Sequence, residues 1–297
     1  MTKTLVTGGS GRLGRTVVAE LAAGGHDVVP VDRVIRDDGP AREVAVDLTD
    51  EDATLALFEA ERPDAVVHLA AIAVPFSAPE GVILRTNAAL AMSVLGAAAA
   101  VGTPAVLAAS SPTVIGYGNP QGWLPVHLPL DETHPVAPWN AYALSKLLIE
   151  QTVGMFARST SGQVWGAFRP CFVLAPEEWK GAPTQQGHTI AERLADPSLA
   201  VVSLFNYVDA RDAGQFVLRW IEAARPELNG EVFFVGADDA LCTGDVRELL
   251  TASYPALAPL LADLPADGPL FTAEKAERLL GWAPTRSWRS ELERVTT

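Results

Sequence analysis

The sequence predicts an α/β fold built on a doubly wound parallel sheet, with a small C-terminal portion appended to it. Three observations carry this. Short apolar and β-branched runs alternate with segments of helical periodicity along the first half of the chain, the mark of repeated β-α-β units. The strand-like runs are apolar throughout rather than alternating, as befits strands covered by helices on both faces. The chain has 297 residues, 48% of them apolar, enough to bury one large core and an appendage.

The elements follow in order. A strand at Leu5-Val6 leads into a helix over 16–23, where Val17, Val18 and Leu21 share a face at helical spacing. Strands at 28–31 and 65–69 flank a helix over 53–60. An Ala-rich helix over 87–101 precedes a strand at 105–109, and a helix over 141–157 precedes a strand at 164–168. Beyond Arg169, Pro176, Pro183 and Pro197 loosen the pattern. There we expect helices near 189–194 and 211–224, a last strand at 232–235, and helices near 245–253 and 273–280. This organisation predicts a first domain over 1–170 and a mainly substrate-binding portion over 171–297, with segments near 201–235 returning to the first domain. The stretch 116–139, rich in proline, is long enough to serve as a lid or binding loop.

Composition excludes some functions. Thirty-six acidic against 22 basic residues give a formal charge of −14 without any basic block, so no nucleic-acid surface is expected. Cys171 and Cys242 are too few for a disulfide framework and too far apart for a ligand pair, which points to a reducing cytoplasm. No charged and apolar leader pattern precedes Thr4, and the longest apolar stretch, 88–101, is too short to span a bilayer. Neither a secretory signal nor a membrane partner is therefore expected. His127 and His134 lack a neighbouring ligand set, so no metal is expected, and His188 reads as a substrate contact or a surface helix cap.

Thr7-Gly8-Gly9-Ser10-Gly11-Arg12-Leu13-Gly14 joins the first strand to the first helix. In that setting Gly8 permits a sharp turn, Gly11 lets a pyrophosphate approach the backbone, and Gly14 lets helix and strand pack closely. The unpaired N–H groups of the helix start then face the anion. The residues thus predict a dinucleotide-binding (Rossmann) turn. Asp32, ending the second strand, suits the ribose hydroxyls of NAD, whereas Arg33 and Arg36 beside it could pair with the 2′-phosphate of NADP or be solvated loop residues. Asp47, followed by Leu48 after a third strand, could accept from an adenine amine or cap the next helix.

Tyr142 and Lys146 lie four apart on one face of the helix over 141–157. A tyrosine that takes a proton from an alcohol needs a lowered pKa, and a neighbouring ammonium favours the phenolate. Ser110 and Ser111 close the fifth strand at the carboxyl edge of the sheet, where open α/β folds bind their ligands. A serine there can hold the reacting oxygen or cap the strand.

With these motifs in place, the sequence resembles the extended short-chain dehydrogenase/reductase family, the NAD-dependent epimerase/dehydratase group, through nearly its whole length. Thr7-Gly8-x-x-Gly11-x-x-Gly14, His68-Leu69-Ala70-Ala71, Ser110-Ser111-x-x-x-x-Gly116, Tyr142-x-x-x-Lys146 and Leu279-Leu280-Gly281-Trp282-x-Pro284 follow one another in the family's order. The resemblance implies an enzyme whose catalytic set is Ser111, Tyr142 and Lys146. It implies cofactor contacts from Gly8, Gly11, Arg12, Leu13, Gly14, Asp32, Arg33, Asp47, Leu48, Leu69, Ala70, Ala71, Asn87, Tyr142, Lys146 and Cys171. NAD is the expected cofactor, with NADP open because of Arg33 and Arg36, and the expected setting is a cytoplasmic homodimer of carbohydrate metabolism.

Two positions depart from the family's pattern. Phe172 stands where the family has an asparagine touching a nucleotide-sugar diphosphate, and Phe205 stands where it has a diphosphate-binding arginine. A phenyl ring cannot neutralise a phosphate. The stretch 109–117 is similar to that of uronate dehydrogenases, which oxidise a free sugar acid, yet no arginine matching a substrate carboxylate is found near Val202. The expected substrate contacts are Ser111, Thr113, Tyr142, Phe172, Trp179 and Phe205, while Trp123 and Trp139 line a pocket or pack under loops. The expected reaction is hydride transfer between nicotinamide and a secondary alcohol or ketone of a sugar-like or other small polar substrate, not a nucleotide sugar. The alternatives are an NAD-retaining nucleotide-sugar 4-epimerase or dehydratase and a non-catalytic dinucleotide-sensing regulator; an intact Ser-Tyr-Lys set argues against the regulator.

Overall fold

The computed structural model describes residues 1–34 and 43–296. In chain order its elements are β1 (Lys3–Thr7), α1 (Arg12–Ala23), β2 (Asp27–Asp32), β3 (Val44–Ala45), α2 (Glu51–Glu61), β4 (Ala65–His68), α3 (Glu80–Val101), β5 (Ala105–Ala109), α4 (Ala141–Ser159) and β6 (Val164–Pro170). There follow β7 (Val173–Leu174), α5 (Pro176–Trp179), α6 (Ile190–Ala195), α7 (Ser198–Val201), β8 (Val208–Asp209), α8 (Ala210–Glu222), β9 (Glu231–Val235), α9 (Val246–Ser253), α10 (Ala258–Leu261), α11 (Glu274–Leu280) and α12 (Trp288–Thr296).

Seven strands form one sheet in the order β3-β2-β1-β4-β5-β6-β9. β1 pairs in parallel with β2 on one side and β4 on the other, so that Thr7 faces Val31 and His68. The chain winds outward from β1 to β3 and then starts again at β4 in the opposite direction. This is the doubly wound arrangement that the apolar strands predict, and its point of reversal at the carboxyl ends of β1 and β4 is where such folds bind ligands. Leu5, Val6, Val66, Val67, Val106 and Leu107 have no exposed surface, which is why these strands carry no polar alternation.

The chain divides into two compact units, one of residues 1–114, 138–169 and 214–232, the other of 115–137, 170–213 and 233–297. This differs from the expected division in two places. The proline-rich stretch belongs to the second unit, where Trp123 donates to Ile115 O at 2.9 Å and Tyr117 meets both the Trp123 and Phe271 rings edge-on. The returning segment is 214–232 rather than 201–235. It is fixed by Phe216 against Phe168, 5.6 Å between centroids, and by Trp220 lying so close over Gly166 of β6 that a Cβ there would stand 2.5 Å from the indole. The second unit has its own core of Leu174, Trp179, Ile190, Tyr207, Ala237 and Leu241 and a small parallel pair, β7 with β8.

Helix α3 starts at Glu80, two turns before the alanine run that marked it in the sequence. Its 22 residues are long and apolar enough, by length and composition, to cross a membrane. It packs on α2 and α4, with Asn87, Val94, Leu95 and Ala98 among its buried residues, as a core helix does.

Candidate active site

The glycine turn is shaped by two close approaches. Gly8 has φ +71°, and a Cβ on it would stand 2.8 Å from the Ala70 nitrogen; a Cβ on Gly14 would stand 2.0 Å from the Gly8 oxygen. The turn therefore passes directly over the 69–70 peptide, and α1 starts against the turn itself. Gly11 is exposed and caps α1 without a side-chain bond, which leaves first-turn N–H groups for an anion. Arg12 and Leu13 are half-buried beside it. Asp32 is half-buried at the end of β2 and accepts from the Arg33 nitrogen at 2.8 Å; Arg33 is exposed, and Arg36 lies outside the described residues.

The exposed Asp47 binds the Thr49 hydroxyl at 2.7 Å and the Thr49 nitrogen at 3.0 Å, which holds its carboxyl below the usual range. The cap of α2 is Asp50, accepting from the Ala53 nitrogen, so the capping alternative for Asp47 is corrected. Leu48, expected at the cofactor, is 3% exposed and packs in the core with Val31 and Leu57.

The Thr7 hydroxyl accepts from the Leu69 and Ala70 nitrogens at 3.2 and 3.3 Å, so its own proton goes to His68 Nδ1, 2.8 Å away. His68 Nε2 is buried without a hydrogen-bond partner. Burial, and then the Lys146 charge, push its pKa down to about 3, which keeps it neutral. Leu69, Ala70 and Ala71 are half-buried beyond it. Asn87 accepts from the Ile72 nitrogen at 2.7 Å and donates to Ile72 O and to Ser145 Oγ, so its amide ties this strand exit to α4.

Asn140 caps α4 by accepting from the Ala143 nitrogen, which places Tyr142 and Lys146 in the first two turns. Ser111 stands beside the Tyr142 phenol, where its hydroxyl favours the ionised form, and the Thr113 hydroxyl donates to Ser111 Oγ at 3.0 Å. Lys146 Nζ donates to Ala109 O at 2.9 Å and lies 5.8 Å from the Tyr142 ring centre. Burial pushes the Tyr142 phenol up to about 12, opposed by the Ser111 hydroxyl, and lowers Lys146 to about 8. In the chain itself burial is the largest influence on the phenol. Ser110 donates instead to Glu150 Oε1 at 2.6 Å, and Glu150 takes Arg169 Nε and Nη2 at 2.7 and 2.9 Å. The two serines thus part ways, with Ser110 anchoring α4 and Ser111 facing the phenol.

In the second unit, Cys171 is buried with its thiol pushed up by burial, and its Sγ stands 3.0 Å from where a Gly236 Cβ would be. Trp179 and Phe205, expected to touch substrate, are 3% and 1% exposed. Trp179 donates to Asp209 at 2.7 Å inside the unit's core. Phe205 sits at φ +56° with its nitrogen on Ala200 O, so both rings are packing groups in this structure. Phe172 is half-buried, and Trp139 packs 5.7 Å from the exposed Phe76 in the first unit. The cap of α6 is Thr189, in a capping box with Glu192, which corrects the cap reading of His188. Sequence reasoning missed Arg193, wholly buried with its guanidinium 4.3 Å from the Phe172 ring centre. The available signal was its place three residues after Ile190, on the apolar face of α6. Among the described residues no three His, Cys, Asp or Glu side chains gather as a metal site.

Fold and site together define an enzyme of the extended short-chain dehydrogenase/reductase type. The model of the NAD-dependent epimerase/dehydratase family matches residues 4–236, and the chain belongs to that family. It is 33% identical to the UDP-glucose 4-epimerase of Azospirillum brasilense over 159 residues, covering 50% of this chain and 43% of that protein. It is 29% identical to the UDP-glucose 4-epimerase of Mycolicibacterium smegmatis over 95% of this chain and 93% of that one. The chain thus spans about half the length of several curated relatives it matches and nearly all of another. A short-chain dehydrogenase/reductase superfamily protein from Agrobacterium tumefaciens with bound NAD superposes with a TM-score of 0.72 at 25% identity, covering 99% and 95% of the two chains. The UDP-glucose-4-epimerase of Stenotrophomonas maltophila, with bound NAD and formylated UDP-arabinopyranose, shares the fold at a TM-score of 0.73 and 18% identity, covering 99% and 97%.

Proposed function

We propose that this chain is an NAD-retaining epimerase that inverts a secondary alcohol of a nucleotide-linked sugar. The observation that carries the reading is the buried Ser111–Tyr142–Lys146 set at the carboxyl end of β5, in a chain similar over nearly its whole length to a 4-epimerase. This favours the epimerase alternative over the net dehydrogenase expected from the sequence. The residues present fit NAD: the Gly8–Gly14 turn with the open start of α1 suits a pyrophosphate, and Asp32 suits the ribose hydroxyls. When bound, NAD supplies the hydride acceptor and, in oxidised form, a positive charge that helps to lower the Tyr142 pKa.

Tyr142 takes the proton of the substrate hydroxyl and later returns it, while Ser111, oriented by Thr113, holds the same oxygen. Lys146, held by Ala109 O, keeps an ammonium beside the ring. A second reading, oxidation of a free sugar acid, is favoured by Phe172 and Phe205 in place of the family's polar residues. A homodimer remains part of the proposal, because Met92 on α3 and Leu144, Leu148 and Met155 on α4 are exposed apolar residues on neighbouring helices; light scattering measures it directly.

The test uses the purified protein with whatever nicotinamide it retains. Epimerisation of UDP-galactose without net accumulation of reduced nicotinamide is expected. Tyr142→Phe should lower turnover by about 10²–10⁴-fold and leave bound NAD in place. Stoichiometric NADH formed with a free uronate, and no epimerisation, would move the function to the second reading.

A further inference from the structure

Among the described residues, Arg193 is a wholly buried cation of the second unit whose contacts are all neutral. Arg211 pairs with Asp209 and Glu291, Arg286 with Asp212, and Arg289 with Asp239. All three are at least a quarter exposed, whereas Arg193 has no exposed surface. Its guanidinium is met by neutral groups alone: Nη1 donates to Gln186 Oε1 at 2.6 Å, Nη2 to Ser203 Oγ at 3.2 Å, and the Phe172 ring lies against its face at 4.3 Å. Nε is buried and has no hydrogen-bond partner. A buried charge without a counter-charge is destabilising, and a chain with 36 acidic residues has not supplied one at this position. Arginine stacked on an aromatic ring, with donors still to be satisfied, is the arrangement that takes a planar or tetrahedral oxyanion through two parallel bonds.

We propose that Arg193, with Phe172 and Ser203, forms an oxyanion-binding site of the second unit, covered by Gln186, and that its ligand is a phosphate or carboxylate group of the substrate. Gln186 is exposed, next to Gly187 at φ +85° in the turn closed by Thr184 and His188, and its amide is the neutral group that an oxyanion replaces. The site also gives a role to a chain position that departs from the family's pattern, since Phe172 stacks on the cation in place of an asparagine contact to phosphate. The inference deepens the proposed function and rests on it for the sugar portion of the ligand.

Calorimetry on the NAD-loaded protein tests it, with UDP and galacturonate as oxyanion probes and uridine and galactose as their uncharged counterparts. One oxyanion probe should bind and its counterpart bind at least tenfold more weakly; UDP identifies the source as phosphate and galacturonate as carboxylate. Arg193→Gln should weaken the oxyanion at least tenfold, with partial recovery in Arg193→Lys. Because Arg193→Gln could unfold the unit, Gln186→Glu is the companion variant, since it sets a carboxylate on the guanidinium from an exposed position. It should raise the melting temperature and weaken the same probe. Unchanged oxyanion affinity in Gln186→Glu, or no binding of either oxyanion to the parent protein, overturns the site. Failure of UDP-galactose epimerisation with oxyanion binding intact instead overturns the proposed reaction alone.

Discussion

Lys146 is charged at a cost. In the unfolded chain it keeps its proton to about 10.5, but in the fold only to about 8, because burial disfavours the ammonium. The penalty is complete below pH 8 and is relieved as pH rises from 8 toward 10.5, where the unfolded chain binds the additional proton. Lys146→Met should therefore stabilise the protein at pH 7 by about 1–3 kcal/mol while abolishing turnover, read from the denaturant midpoint. A lower midpoint would show that the ammonium is compensated. His68 acts at the acid end. Its proton is refused by the fold down to about pH 3 but accepted by the unfolded chain below 6.5, so stability falls as pH drops through that window. His68→Asn should reduce the loss of stability between pH 7 and 4.5 by about 2–3 kcal/mol, and an unchanged loss would place the acid sensitivity elsewhere. At this scale the sequence was legible where a residue type is rare and its spacing demanding, as with Tyr142 and Lys146. Burial was not legible: Trp179 and Phe205 looked like pocket walls, Leu48 like a cofactor contact, and Arg193 drew no reading at all.

Helix α4 is held to the sheet by a polar anchor rather than by apolar packing alone. Glu150 is buried between Ser110 at the end of β5 and Arg169 near the end of β6, two turns beyond Tyr142 on the same helix. Glu150→Gln leaves the Arg169 charge without its carboxylate, and such a break costs about 3–5 kcal/mol. The variant should show that loss in urea, and a reduced kcat in whatever fraction remains folded, since the anchor sets the height of α4 against Ser111. A kcat loss with unchanged stability would contradict the anchor. The elements that the sequence made plain are those long enough to display a period. The two-residue strands β7 and β8 show none, and among the described side chains of α12 the apolar pair packed inward is Trp288 and Leu292, too few to distinguish from chance. The start of α3 was missed because Glu80 and Arg85 interrupt its apolar pattern.

Across the whole molecule, the chain passes from one unit to the other after residues 114, 137, 169, 213 and 232. The boundary at Arg169 was visible as a change in proline content and a return near 201–235 was expected, but the transfer of 115–137 to the second unit was not. The division rests on which aromatic ring meets which, namely Tyr117 with Phe271 and Trp220 with Gly166. A chain ending at Arg169 would lack the Trp220 indole on β6 and the last strand of the sheet. It should give no cooperative unfolding transition, and a two-state melt from it would show that the first unit closes without its returning segment.

The same threading sets an order on biosynthesis. A sheet made of residues 1–169 alone could begin to form while the chain is still being translated, but its closing pieces, α8 and the start of β9, are encoded after about half of the second unit. The first unit must therefore wait, with the face of β6 under Gly166 uncovered, until Val232 has left the ribosome. That face thus stays uncovered through the synthesis of 170–232, and the first unit is completed only with its returning segment.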